Sequence, residues 1–215
     1  MTEYRISEGL YLLPTPAGAY YAVSGIDKNP SRELLKAILS YTESPLLSVD
    51  SIKEWIKSGD DSEAYELLYH AQSLGWLEGF EEPKIPPTDA LENILPVLLP
   101  DLSSNGKALL ADGQGFYVAS AGFPHEAAEE LSALSADVAN LHERHGGLLN
   151  NNLGLNSGAW ALVDTAGNSQ IGFWPLFIGA QRFVLVISGT PRLNQPALTS
   201  LIWTLSIRYG STGSE

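Results

Sequence analysis

The segment Gly106–Gly122, GKALLADGQGFYVASAG, most narrowly limits how this chain can fold. Two short, largely apolar runs flank the dipeptide Asp112-Gly113, and glycine tolerates the positive φ angle that a tight hairpin turn needs. An acidic, alanine-rich stretch follows at once, from Pro124 to about His145. The segment therefore predicts a strand, a tight turn, a second strand and then a long helix.

A similar order recurs later in the chain. Ala159–Asp164 and Gln170–Phe177 flank the turn residues Thr165–Asn168, which predicts a second hairpin. Phe183–Ser188 is a fully apolar run, and we expect it to form a central, buried strand. Asn194–Tyr209 predicts a final helix with a mostly apolar surface.

A further helix is predicted in front of the first hairpin, over Asp89–Leu102. Pro96 and Pro100 interrupt its pattern, so we expect this helix to be kinked or broken. Over residues 89–210 the predicted order is helix, two strands, helix, three strands, helix.

This order resembles that of the roadblock/LC7 family. The residues that carry the resemblance are ALLADGQGFYVASAG at 108–122 and EAAEELSALSADVANL at 126–141. The resemblance implies an α+β fold in which the C-terminal part is a five-stranded antiparallel sheet with helices. It also implies a non-enzymatic adaptor that forms a homodimer and binds a small Ras-like GTPase or another regulatory protein.

The long helix after the first hairpin carries the candidate residues of a partner or dimer interface. Ala128, Ala133, Ala136 and Ala139 lie largely away from its stripe of larger apolar residues, and small side chains let another helix or sheet approach closely. The stripe consists of Ala127, Leu131, Leu134, Val138 and Leu141. Trp174 is a further candidate, because an exposed tryptophan can anchor a partner, although core packing is the alternative.

Prolines at 83, 86 and 87 divide the chain into two halves. We predict a small winged-helix-like domain over 1–82, a proline-rich linker over 83–88 and the roadblock/LC7-like domain over 89–210. We expect 211–215, STGSE, to be a disordered tail.

The N-terminal half predicts a hairpin followed by three helices and a strand. Leu10–Ser24 alternates and is rich in tyrosine, which favours a β-hairpin that turns near Pro14–Gly18. The predicted helices and final strand are Ser31–Tyr41, Val49–Lys57, Ser62–Leu74 and Trp76–Phe80. The order resembles a winged helix, and also the small peptide-binding winged helices of the PqqD type.

Charge disfavours nucleic acid as a partner of this half. The chain has 25 acidic and 12 basic residues, a formal net charge of −13. No lysine or arginine occurs between Lys57 and Lys84, and the run Asp60–Glu66 opens the predicted third helix. This run is either a solvated helix start or a surface that docks a basic partner.

Two alternatives to the GTPase-binding adaptor stay open. One is a regulator whose winged helix binds nucleic acid while the C-terminal domain dimerises it. The other is a peptide-binding module that uses the edge of the Leu10–Ser24 hairpin, where a peptide would add a strand.

Composition limits the compartment and the chemistry. No apolar run approaches the roughly 20 residues that cross a bilayer, so we expect no membrane insertion. The N-terminal residues MTEYRISEG lack a signal-peptide pattern, which predicts a cytoplasmic protein. The chain has no cysteine, which excludes disulfides and thiolate metal sites.

We predict no catalytic, cofactor-binding or metal-binding residues. His142 and His145 are three residues apart, whereas a zinc-protease helix places its histidines four apart. Gly113 and Gly115 lack the third glycine of a dinucleotide fingerprint. No nucleophile-elbow sequence surrounds Ser120 or Ser188.

Overall fold

Two strands and four helices form the N-terminal half of the computed structural model, which describes residues 9–57 and 59–210. In chain order these elements are β1 (Tyr11–Pro14), α1 (Pro16–Val23), α2 (Pro30–Leu39), α3 (Val49–Ile56), α4 (Asp61–Ser73) and β2 (Leu77–Phe80). The three predicted helices and the predicted strand correspond to α2, α3, α4 and β2. The predicted tail at 211–215 lies outside the described residues.

The predicted hairpin over Leu10–Ser24 is wrong. Strand β1 ends at Pro14, and the following residues form helix α1, which begins with Pro16 and is capped by Thr15. The Thr15 hydroxyl accepts a hydrogen bond from the Gly18 amide at 3.1 Å. Strand β1 pairs instead with the distant strand β2, antiparallel, with Tyr11 opposite Phe80. The peptide-binding alternative therefore loses the hairpin edge on which it depended.

The winged-helix prediction for 1–82 is not confirmed. The described part of this half has four helices, and its small sheet joins the first and the last element. Gly18 lets α1 lie close to the residue before β2, because a Cβ at Gly18 would lie 2.0 Å from the carbonyl oxygen of Trp76. Helix α1 thus replaces one strand of the expected hairpin.

The C-terminal half contains a five-stranded antiparallel sheet, as predicted. Its elements are α5 (Leu91–Leu98), β3 (Ala108–Asp112), β4 (Tyr117–Ala121), α6 (His125–Arg144), β5 (Trp160–Val163), β6 (Ser169–Ile178), β7 (Gln181–Ser188) and α7 (Pro196–Tyr209). The strand order across the sheet is β4-β3-β7-β6-β5. The apolar strand β7 is therefore central, as its sequence predicted.

Helices cover both faces of this sheet. On one face Leu109, Val184 and Val186 pack against α6. On the other face Leu110 and Leu185 belong to a larger core that includes α5 and α7. Adjacent residues of a strand point to opposite faces, which is why neighbouring residues such as Leu109 and Leu110 enter different cores.

Proline interrupts the helix before the first hairpin, as predicted. Helix α5 ends at Leu98, and the chain continues as a 3₁₀ turn over Leu99–Leu102 that contains Pro100. Pro96 lies inside α5 without ending it. The second proline thus falls where the helix changes to the tighter turn.

Helix α7 is the element that joins the two halves. Its buried residues are Ala197, Leu198, Thr199, Leu201, Ile202, Trp203, Thr204 and Leu205. One side of α7 faces the sheet, and α1 and α2 pack against it from the N-terminal half. The Trp203 indole donates a hydrogen bond to the Tyr41 carbonyl at 2.7 Å. The two halves consequently share one hydrophobic core, and their division at 83–88 stays a prediction.

In both hairpin turns an aspartate carboxylate accepts hydrogen bonds from two backbone amides of the turn. In the β3–β4 turn the Asp112 carboxylate accepts hydrogen bonds from the amides of Gln114 and Phe116, at 2.9 and 3.0 Å. In the β5–β6 turn the Asp164 carboxylate accepts from Ala166 and Asn168, at 2.8 and 2.9 Å. The backbone hydrogen bond from Asn168 is the main cause that lowers the pKa of Asp164.

The turns differ in what lies next to their glycines. Gly115 has φ +91°, and a Cβ there would lie 3.2 Å from both the Cα of Ala133 and the Cβ of Ala136 on α6. Gly167 has φ +85° and open space around it. The first turn therefore packs tightly on α6, whereas the second does not.

The change Gly115→Ala is expected to destabilise the chain more than Gly167→Ala. Both alanines adopt an unfavourable positive φ, at a cost of about 1–3 kcal/mol. Only Gly115→Ala also crowds α6, which adds on the order of 1–3 kcal/mol. Urea unfolding of the two variants measures the difference, and an equal loss of free energy of unfolding in both would contradict the close contact with α6.

Candidate functional site

Strand β5 forms an uncovered edge of the five-stranded sheet. All four of its residues, Trp160–Val163, are exposed, and within 9–57 and 59–210 no strand pairs with its outer side. The strand carries no charged residue, whereas charges and prolines commonly protect such edges from pairing. At the opposite edge, strand β4 is partly buried and contacts α5. Strand β5 is therefore the edge open to another chain.

Helix α6 carries exposed leucines on the face of the sheet toward which Trp160 and Leu162 of β5 point. Leu134 and Leu141 are seven residues apart, which places them on one face of the helix, and both are exposed. Trp160 and Leu162 of β5 are paired with Phe173 and Ile171 of β6, which pack against α6. We call the exposed residues Leu134, Leu141, Trp160, Leu162 and Val163 the edge surface.

A hydrogen bond joins the helix to the edge strand. The Trp160 indole donates to Nδ1 of His142 at 3.1 Å, and the two rings meet edge to face. His142 is thus tied to an indole that belongs to the edge surface. His145, its partner in the rejected zinc-protease pattern, is exposed.

The structure does not bring the predicted interface alanines together on one free surface. Ala128 is buried between α6 and the sheet. Ala133 is exposed and Ala136 half-buried, and both lie against the β3–β4 turn at Gly115. Ala139 lines a cleft described below. The small size of Ala128, Ala133 and Ala136 serves close packing within the chain.

Trp174 lies on the other face of the sheet. It is half-buried and packs against the large core that contains α7, and its ring lies over Gly172. A Cβ at Gly172 would be only 2.4 Å from that ring. Trp174 therefore does not belong to the edge surface.

A cleft of about 810 Å³ opens where α6, the sheet and the N-terminal half meet. Phe173, Pro175 and Phe177, alternate residues of β6, line it from the sheet. Val138, Ala139 and His142 line it from α6, and Tyr21 with the α1–α2 connection lines it from the N-terminal half. Glycines and asparagines of the segment between α6 and β5 complete the lining.

Arg32 is a cleft residue from the N-terminal half. Its side chain is only 6% exposed, and its guanidinium lies 4.5 Å from the centre of the Tyr21 ring. One Nη atom donates to the Tyr21 carbonyl and the other to the Asp27 carboxylate at 3.0 Å. Its Nε atom is buried and has no hydrogen-bond partner among the described residues.

Arg182 is the corresponding cleft residue from the sheet, near the start of β7. It forms an ion pair with Glu143 of α6 and donates to the Gly113 carbonyl at 3.3 Å. Its Nε atom, like that of Arg32, is buried without a partner in the described residues. Two arginines from opposite halves of the chain therefore line one cleft.

The charges at this cleft are arranged unevenly. The side chains of Arg32 and Arg182 are 6% and 16% exposed, whereas those of their partners Asp27 and Glu143 are 65% and 63% exposed. Water screens exposed charges far more than buried ones. Water therefore screens the two arginines less than the two carboxylates that pair with them.

The acidic start of α4 is partly paired within the chain. Lys53 of α3 donates a hydrogen bond to Asp61 at 2.7 Å. This hydrogen bond is the largest contribution that raises the pKa of Lys53. Asp60 caps the helix by accepting from the Ser62 amide. This part of the run Asp60–Glu66 thus has a structural role at a helix start.

In 9–57 and 59–210 no three His, Cys, Asp or Glu side chains cluster closely enough to hold a metal ion. Among the described helices, none combines the length and the apolar character needed to cross a bilayer.

Comparison with known proteins gives likenesses at the level of fold. No family model and no curated protein matches the chain. A roadblock/LC7 domain from Streptomyces avermitilis is 12% identical, with a TM-score of 0.35, and the alignment covers 56% of this chain and 93% of that one. Myxococcus xanthus MglB is 17% identical, with a TM-score of 0.33, covering 55% of this chain and 89% of that one. The α+β architecture of the C-terminal half is given by the sheet and helices described above.

The cleft is the feature that the sequence did not reveal. The sequence pattern predicts only that Arg32 lies in a helix, and it gives Arg182 no role. The sequence offers only a weak signal, since Arg32 and Arg182 stand just before the apolar residues Leu34 and Phe183. Only the fold shows that both arginines line the same cleft.

Proposed function

We propose that this protein is a cytoplasmic, non-enzymatic adaptor that acts as a homodimer and binds a small Ras-like GTPase or a related signalling protein. The observation that carries the proposal is the edge surface, an unpaired strand with exposed apolar side chains beside exposed leucines of α6. Exposed apolar surface of this kind marks protein interaction sites. The GTPase as partner is what the roadblock/LC7 resemblance of 108–122 and 126–141 implies.

A second copy of the chain is the partner that we propose for the edge surface. Two β5 strands related by a two-fold axis pair antiparallel, and each strand then satisfies the outer backbone groups of the other. The pairing joins two five-stranded sheets into one of ten strands. Leu134 and Leu141 of α6 then lie beside the junction, where a copy of the same helix can cover them.

Dimer formation leaves other surfaces free for a different partner. The N-terminal half packs on α7, on the face of the sheet opposite α6, and its α1–α2 connection reaches the cleft. This half offers a second protein-binding surface that the dimer contact does not use. Its acidic helix start at Asp60–Glu66 suits a partner with a basic surface.

The change Leu162→Glu is expected to separate the dimer into monomers. Leu162 is 65% exposed, and two copies of the change remove about 3–6 kcal/mol of apolar burial and place like charges together. The matched control is Ile85→Glu, because Ile85 is 64% exposed and lies in the 83–88 segment.

Sedimentation equilibrium or light scattering at tens of micromolar measures the outcome. The wild type and Ile85→Glu are expected to be dimers, and Leu162→Glu a monomer with unchanged circular dichroism. A monomeric wild type, or a Leu162→Glu variant that stays dimeric, would overturn the proposed contact.

The immobilised protein is expected to retain a small GTPase from a lysate of its source cell in one nucleotide state only. Capture is run in parallel with GDP and with a non-hydrolysable GTP analogue, and the retained GTPase is then purified and its binding measured directly. The Ile85→Glu and Leu162→Glu variants test whether retention depends on the dimer. Absence of any GTPase in both nucleotide states would remove the GTPase from the proposal and leave the dimer in place.

A further inference from the structure

We propose that the cleft between α6, the sheet and the N-terminal half binds a small amphipathic acid. The ligand has a flat apolar body and one anionic group, such as a carboxylate, a sulfonate or a phosphate. This inference goes beyond the proposed adaptor function and does not depend on the dimer or on a GTPase.

The size and the apolar lining of the cleft suit such a body. A volume of about 810 Å³ falls within the range of roughly 300–1,000 Å³ of small-molecule sites, which often lie where two parts of a chain meet. Phe173, Pro175 and Phe177 offer apolar surface from one strand, and Tyr21 offers an aromatic ring from the N-terminal half. Flat apolar molecules stack favourably on such surfaces.

The buried arginines favour a negative charge on the ligand. Arg32 and Arg182 lie inside, while Asp27 and Glu143, which balance them, lie mostly in water. An anion in the cleft would be close to the buried cations and farther from water, where the attraction is strong. An apolar ligand without a charge would form no ion pair with either arginine.

The unpartnered Nε atoms provide an independent indication. Buried donors in folded proteins are nearly always hydrogen-bonded, and here two arginines that line one cleft each leave Nε without an acceptor in the described residues. An acid binds an arginine side-on when its two oxygens accept from Nε and from one Nη. At Arg32 this Nη is held by Asp27, so the ligand acid takes the place of Asp27.

Replacement of the Asp27 carboxylate by the ligand acid at Arg32 leaves no buried group without a partner. Asp27 is largely exposed and lies on the connection between α1 and α2, so its carboxylate returns to water when the ligand acid replaces it. The Tyr21 carbonyl keeps its hydrogen bond from the other Nη. The ligand thus supplies the missing acceptor at Nε without leaving a buried carboxylate unpaired.

Two fluorescent probes with the same apolar body test the proposal on the full chain. The first is 8-anilinonaphthalene-1-sulfonate, and the second is N-phenyl-1-naphthylamine, which lacks the sulfonate. We expect the sulfonate to bind with one site per chain and at least tenfold more tightly than the neutral probe. We expect Arg32→Met to abolish this difference and to leave binding of the neutral probe unchanged.

Matched variants separate the cleft from the exposed apolar surface. Ala139→Trp fills the cleft and is expected to remove the site for both probes, whereas Ala166→Trp, in the exposed β5–β6 turn, is expected to bind them as the wild type does. Arg182→Met is a second charge variant for the case that Arg32→Met fails to fold, which circular dichroism shows.

The outcomes are distinct from those of the dimer test. Leu162→Glu is expected to lose the dimer and to keep the sulfonate site. No binding of the sulfonate, equal binding of the two probes, or binding that survives Ala139→Trp would overturn the proposed ligand site. None of these results would affect the dimer or its partner.

Discussion

The burial of α7 between the sheet and the N-terminal helices is the packing interaction on which the rest of the structure depends. A helix on the surface of a domain normally buries one stripe, yet Leu201–Leu205 of α7 are buried without a break. The sheet covers one side of this helix, and α1 and α2 cover the other. The N-terminal half is therefore needed to keep the apolar residues of α7 out of water.

The packing of α7 also explains where the edge surface and the cleft lie. Helices α5 and α7 and the N-terminal helices occupy one face of the sheet, and α6 packs on the other face. Helix α6 contacts the edge strand β5 through His142 and Trp160 but leaves all four of its residues exposed, which produces the edge surface. The α1–α2 connection reaches the end of α6, and the gap between them is the cleft.

The sequence predicts the elements that local chemistry determines and misses those that depend on distant contacts. Asp112-Gly113 and the turn before Ser169 identify both hairpins, because aspartate and glycine satisfy those turns locally. The hairpin prediction for Leu10–Ser24 fails because it rests on the tyrosine-rich pattern and overlooks Thr15-Pro16, which is a sound helix start. The sequence pattern also places Leu134 in the apolar stripe of α6, whereas in the structure Leu134 is exposed and Ser132 and Ser135 are buried. The two serines can be buried because their hydroxyls donate hydrogen bonds to carbonyls of their own helix.

The most direct test of this account is hydrogen exchange, read by mass spectrometry along a urea titration of the whole chain. Peptides that cover α2 in the N-terminal half and β7 in the sheet report on the two halves separately. If α7 unites them in one core, both peptides become labelled at the same urea concentration. Labelling of α2 at clearly lower urea, with β7 still protected, would show that the sheet is stable without the N-terminal helices and would contradict the account.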